Sequence, residues 1–149
     1  MAQTYFGSTL RAGSGTLTDT VDGGFVVMTQ TTTVTTAAAG TATSASLTIP
    51  ASSQILNFFV DTVQDEAVGG GTATAIAMTI GTAAAGTQYV SSTDVFAGGR
   101  ATLTFTAAQL AAMADVGTNQ SVFITVDPNG TISTTQAIYR LTVTYAQKV

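Results

Sequence analysis

Apolar and polar residues alternate with period two along most of this chain, and short clusters of Gly, Pro, Asn and Asp interrupt the alternation. Phe25–Thr35 (FVVMTQTTTVT) reads as a long threonine-rich strand, because β-branched side chains suit a pleated, half-buried surface. The loop at 36–41 is expected to close a hairpin onto Thr43–Ile49, where Ala45, Leu47 and Ile49 alternate with Ser44, Ser46 and Thr48. Pro50 ends that strand. The stretch 54–63 follows, with Leu56, Phe58 and Val60 expected on one face and Ile55, Asn57, Phe59 and Asp61 on the other. After a glycine break at Gly69-Gly70-Gly71, residues 72–80 place Ile76, Met78 and Ile80 on one side and Ala73, Ala75 and Ala77 on the other.

Residues 81–99 are loop-rich, with a short strand at Tyr89-Val90, and 100–105 is read as another alternating strand with Leu103 and Phe105 inward. Residues 106–113 form the one helical stretch, capped by Thr106 and too short to be more than a connector. Residues 121–127 and 131–145 are expected to form a closing hairpin around Asp127-Pro128-Asn129-Gly130. Its second strand alternates Ala137, Tyr139, Leu141, Val143 and Tyr145 against Ile138, Arg140, Thr142 and Thr144. About seven or eight strands with one short helix predict an all-β fold: an antiparallel β-sandwich, a jelly roll or related Greek key. Residues 1–24 read as an extended Gly/Ser/Thr-rich arm, with a short strand near 16–20 and a turn at Asp22-Gly23-Gly24. Residues 25–149 then make one sandwich domain. The hexapeptide TAAAGT occurs at 36–41 and again at 82–87, which in so Thr-, Ala- and Gly-rich a chain is read as coincidence rather than duplication.

Composition narrows the function. With 149 residues, the chain is long enough for one real core. It has no Cys and no His, so disulfides, thiolate nucleophiles, imidazole bases and Cys/His zinc sites cannot be built. A net charge of −4 argues against nucleic acid as a partner, since phosphates need a basic face. No apolar run approaches the ~20 residues of a spanning helix, and the Met1–Tyr5 start lacks the basic and apolar regions of a signal peptide. Synthesis in a cytoplasm, with no membrane partner, is therefore expected. Only 8% of residues are charged, a surface better suited to cover by partners than to a free monomer.

Few motifs carry chemistry. Asp61, Asp65 and Glu66 are the one close group of carboxylates, read as loop solvation and not as an acid–base pair. Asp19-Thr20-Val21-Asp22-Gly23 lacks the further ligands of a calcium loop and reads as turn chemistry. Asn119 and Asn129 are read as turn residues. The threonines at 29–36 could present a hydroxyl array of the ice-binding kind, although a single strand falls short of a stacked set. Without Trp or an evident Tyr stripe, a sugar platform is missing. Arg11, Arg100 and Arg140 are three of four cations, and for Arg100 and Arg140 an intrachain ion pair is the preferred reading. Neither catalytic residues nor a metal site nor a cofactor is assigned, and the chain is read as a non-enzyme.

The runs 7–27 (GSTLRAGSGTLTDTVDGGFVV), 79–90 (TIGTAAAGTQYV) and 99–113 (GRATLTFTAAQLAAM) resemble small virion structural proteins of tailed bacteriophages. Within that group the chain looks most like a capsid decoration, or cement, protein. The resemblance implies a compact β-domain that assembles as a homo-oligomer, a trimer favoured, on the outer face of the shell. It implies the major capsid protein as partner, the capsid surface of the virion as location and a bacterial host cytoplasm as the place of synthesis. A tail, neck or fibre component is the alternative, and a carbohydrate- or ice-binding β-module the next. Physical reasoning alone nominates interface residues: the arm with Arg11, then Arg100, and the loops around Gly69, Gly70, Gly71 and Thr72 and around 81–87.

Overall fold

Eleven residues without Gly, Pro or charge make Phe25–Thr35 (β1) the straightest reading of the pattern, and the computed structural model forms it with those bounds. The structure describes residues 25–65, 71–132 and 135–148; the expected arm at 1–24, with its turn and its Asp19–Gly23 motif, lies outside them. The further elements are β2 (Thr43–Ile49), β3 (Ser53–Gln64), β4 (Ile76–Gly81), β5 (Val90–Asp94), α1 (Ala107–Ala114), β6 (Gln120–Pro128) and β7 (Ile138–Lys148). They form two antiparallel sheets, of order β1-β7-β3 and β2-β6-β4-β5. The fold is mostly β with one short helix, as expected.

Both sheets feed one core. Tyr139, Leu141, Val143 and Tyr145 of β7 and Phe58 and Val60 of β3 join Ile76, Met78 and Ile80 of β4 and Val122, Ile124 and Val126 of β6. Each of these is at most 2% exposed, and burying such a side chain contributes about 1.5–3 kcal/mol. The period-two reading of β4 and β7 therefore assigns the inward residues correctly.

Connections differ from the local reading. The loop at 36–41 closes no hairpin, because β1 pairs with β7 and β2 with β6. Nor do β6 and β7 form the expected closing hairpin, since they lie in different sheets. Turn residues fix where the chain reverses, not which strand it pairs with on return. Pairing is instead nested: the first strand lies on the last and the second on the one before it.

Three local readings are also corrected. In β3 the register slips between Ile55 and Asn57 and again between Thr62 and Gln64. The first slip turns Ile55 inward with Phe58 and leaves Leu56 45% exposed, so the assignment of Leu56 to the core face fails; the second leaves Val63 55% exposed. The segment 100–105 is no strand of a ladder, since only Arg100 bridges, to Asp61 of β3. Its Ala101, Leu103 and Phe105 still pack on the core, and its bonding to β3 is short, with Ala101 N–H to Val60 O at 2.9 Å and Thr62 N–H to Gly99 O at 2.8 Å around the single bridge. Strand β4 begins at Ile76 and not at 72, because the preceding residues are held by another loop. There Asn129 Oδ1 accepts from the N–H groups of Thr74 and Ala75 at 2.8 and 3.1 Å, the turn role expected of it.

The helix follows its prediction closely. Thr106 Oγ1 accepts from the Gln109 N–H at 3.3 Å, and Gln109 Oε1 accepts from the Thr106 N–H at 2.8 Å, a reciprocal cap. Gln109 is buried and its amide also donates to Thr87 O and Ser91 Oγ, which ties the helix to the β4–β5 connection.

The two TAAAGT copies make the same turn bond, Gly40 N–H to Ala37 O at 2.9 Å and Gly86 N–H to Ala83 O at 3.0 Å. Their backbones differ, since the left-handed residue is Gly40 (φ 71°) in the first and Ala85 (φ 58°) in the second. The first copy crosses between sheets, while the second joins paired strands of one sheet. Shared turn chemistry accounts for the repeat.

Candidate functional site

Outward residues of β1, β7 and β3 line up in rows across the three-stranded sheet. In register these are Val27–Ala146–Gln54, Thr29–Thr144–Asn57, Thr31–Thr142–Phe59, Thr33–Arg140–Asp61 and Thr35–Ile138–Gln64. Thr29, Thr31, Thr33 and Thr35 are exposed, while Gln30, on the opposite face of β1, donates to the Tyr145 hydroxyl at 2.7 Å. Threonine serves both demands here: its branching holds the strand extended, and its hydroxyl tolerates water.

One charged cluster sits on this face. Arg100 reaches Asp61 with a fork, Nε to Oδ1 at 2.7 Å and Nη2 to Oδ2 at 3.3 Å, and Arg140 adds Nη2 to Oδ2 at 3.5 Å. The Arg100 guanidinium also lies 5.2 Å from the Phe59 ring centroid, in cation–π range. The Arg100 hydrogen bond leads in holding the Asp61 carboxyl below its ordinary range, with the charges of both arginines assisting. Two guanidiniums share one carboxylate, so the cluster carries surplus positive charge.

The intrachain ion pairing expected for Arg100 and Arg140 is present. Asp61 as their shared partner was not named from sequence. Its signal was there: Asp61 and Arg140 are each a lone charge in mid-strand, on the outward parity of neighbouring strands.

Other nominated residues fare differently. Arg11, Gly69 and Gly70 lie outside the described residues, as does Glu66. Gly71 and Thr72 are exposed, but Thr72 is engaged within the chain: its Oγ1 accepts from the Thr131 N–H at 3.0 Å, and its own N–H donates to Thr131 O at 2.8 Å. The 81–87 loop is no open loop. It folds back over the outer face of the four-stranded sheet, where the Ala85 N–H donates to Thr125 Oγ1 at 2.8 Å.

Two hollows remain. One of about 260 Å³ lies between the end of β3, β5 and the 95–102 segment, lined by Thr62, Thr93, Asp94, Arg100 and Tyr139 among others. Two of its polar side chains are engaged within the fold: Asp94 Oδ1 accepts from the N–H groups of Ile76 and Phe96, and the Tyr139 hydroxyl donates to Val95 O. A shallower one of about 440 Å³ lies beside Phe25, Ser53 and the end of α1. Among the described residues, no three carboxylates come together as a metal would need.

Compared with family models, curated proteins and solved structures, the chain matches none of them. The outer face of the β1-β7-β3 sheet is therefore identified as the candidate site on its geometry alone. No helix among the described residues is long and apolar enough to cross a membrane.

Proposed function

We propose that this chain is a structural protein of a phage virion, a capsid decoration protein that binds the outer shell as a symmetric oligomer. The observation that carries the reading is the outer face of the β1-β7-β3 sheet, broad and bare and poor in charge, on a chain with neither Cys nor His. The face bears threonines, an apolar end with Phe25 and Val27 61% and 62% exposed, and one ion-pair cluster. Such a surface suits many weak contacts repeated by symmetry, which stabilise a shell because they exist only in the assembled state. The phage likeness itself rests on the sequence runs quoted above.

The fold proposed is a sandwich of the jelly-roll kind, and strand order supports it. Counting the 100–105 segment as a vestigial sixth strand, pairing is first with eighth (β1·β7), second with seventh (β2·β6), third with sixth (Asp61·Arg100) and fourth with fifth (β4·β5). That nested order is what winding one long hairpin into two sheets produces.

The test is the copy number of this chain on purified particles relative to the major capsid protein. Hundreds of copies in a simple ratio to the shell are expected. A count of about six to eighteen would move the protein to the tail or neck, and absence would overturn the virion reading.

A second reading has a specific observation behind it. Thr29 faces Thr144 and Thr31 faces Thr142 across β1 and β7, so the hydroxyl array spans two strands instead of one. That arrangement supports an ice-binding face, and thermal hysteresis by the isolated protein would decide for it.

A further inference from the structure

Strand β1 ends its sheet: among the described residues it pairs with β7 and with no strand on its other side. Every second residue of such an edge points its N–H and C=O away from the ladder. Natural edges are usually blunted by Lys, Pro, inward charges or short length. β1 has eleven residues and none of these devices.

Exposure along the inward row that begins in β1 is graded. Met28 is 41% exposed, while Val34 and Thr36 at the far end are 3% and 1%. The far end is closed by β2, whose Thr43 Oγ1 donates to Thr35 O at 2.7 Å. The open half of the edge is therefore the half that residues 1–24 lead into.

We propose that this open edge is the docking site of residues 16–21 of the same chain, folded back through Asp22-Gly23-Gly24 to pair antiparallel with residues 25–30. Three residues with Gly at the left-handed position are a standard hairpin connection. Thr16-Leu17-Thr18-Asp19-Thr20-Val21 alternates as an added strand should. A three-residue loop sets Val21 opposite Phe25 and Leu17 opposite Thr29, on the outer face beside the exposed apolar end. The short tether also favours this occupant over a second copy, since it holds the segment at an effective concentration of order mM. The added strand takes up the free backbone groups of β1 and so keeps copies of the protein from pairing edge to edge.

The chain has no cysteine, which makes the test clean. Leu17→Cys with Thr29→Cys is expected to form a disulfide within one chain on mild oxidation, while Leu17→Cys with Thr35→Cys stays reduced. In parallel, Asp19→Pro, which in this register removes an N–H facing Val27, is expected to speed amide exchange at residues 25, 27 and 29 by at least about tenfold against the unaltered full chain. These are the residues turned to the open side, since Thr36 N–H bonds Ala137 O while Thr35 O is left to Thr43. Equal exchange rates would overturn the proposal. So would a disulfide found only between chains, which would give the edge to a second copy.

Discussion

The two sheets treat their outer faces in opposite ways. The face of β2-β6-β4-β5 is covered around Thr125 by its own β4–β5 connection, pinned there by the Ala85 N–H and braced internally by Thr82 N–H to Gln88 Oε1 at 3.1 Å, while Ser44, Ser46 and Thr48 of β2 stay exposed. Thr125 is left only 4% exposed, on a parity that would otherwise face water. Over β1-β7-β3 the described residues lay no such loop, and its threonines stand exposed. One sheet has part of its outer face packed from within the chain. The other keeps its threonine rows exposed among the described residues.

If the contrast is real, substitutions on the covered face should harm folding and those on the bare face should not. The largest effect is expected at Gly81. A Cβ there would sit 2.6 Å from Gly86 O, against backbone that cannot swing aside. Gly81→Ala should therefore lift the covering loop and cost about 1–3 kcal/mol in urea unfolding. A change below about 0.5 kcal/mol would mean that the loop is not packed on its sheet.

Thr125→Val comes next. It keeps the side-chain shape but leaves the Ala85 N–H without its acceptor and breaks the 2.8 Å hydroxyl pair with Ser44. Loss of about 1–2 kcal/mol is expected, checked by denaturant midpoint. Faster exchange of the Ala85 amide would tie the loss to the loop.

The same contrast shows how far sequence could be read. Strand bounds for β1 and β2, the inward residues of β4 and β7 and the Thr106 cap followed from period, branching and capping chemistry, all of which act over a few neighbours. Partner choice did not follow. The turns at 36–41 and 127–130 look like hairpin turns because they reverse the chain, yet each carries it to the other sheet. The bulge at Leu56 was hidden for a related reason: one extra residue leaves composition unchanged but flips every later side chain. Of the site, the ion pairing of Arg100 and Arg140 was legible from the scarcity of cations. That the bare face belongs to β1-β7-β3 was not, because it depends on where a distant loop folds.

On the bare face, Thr31→Lys should shift stability by less than about 0.5 kcal/mol, as surface substitutions away from packed features do. Its expected effect is on assembly. A charged, bulky side chain amid the threonine rows should lower occupancy on particles while thermal unfolding stays unchanged. Full occupancy by this variant would remove the face from the contact surface, and a large loss of stability would show that the face is structural after all.

The smallest effect is expected from the bare face's own ion cluster, and its sign can be worked out. Asp61 titrates below its ordinary value of 3.8 in the fold because its charged form is held by Arg100 first and Arg140 second. The folded state thus binds fewer protons than the unfolded chain in this window, so the contribution of the cluster is full above about pH 4 and is lost as pH falls through the lowered value. Asp61→Asn should flatten the fall in stability between roughly pH 5 and pH 2 relative to the unaltered protein, with the two converging at the acid end. The difference should also shrink in high salt, since both arginines are solvent-exposed and such pairs are screened. Parallel acid profiles for the two proteins would mean that the cluster does nothing for folding and serves only to mark the face.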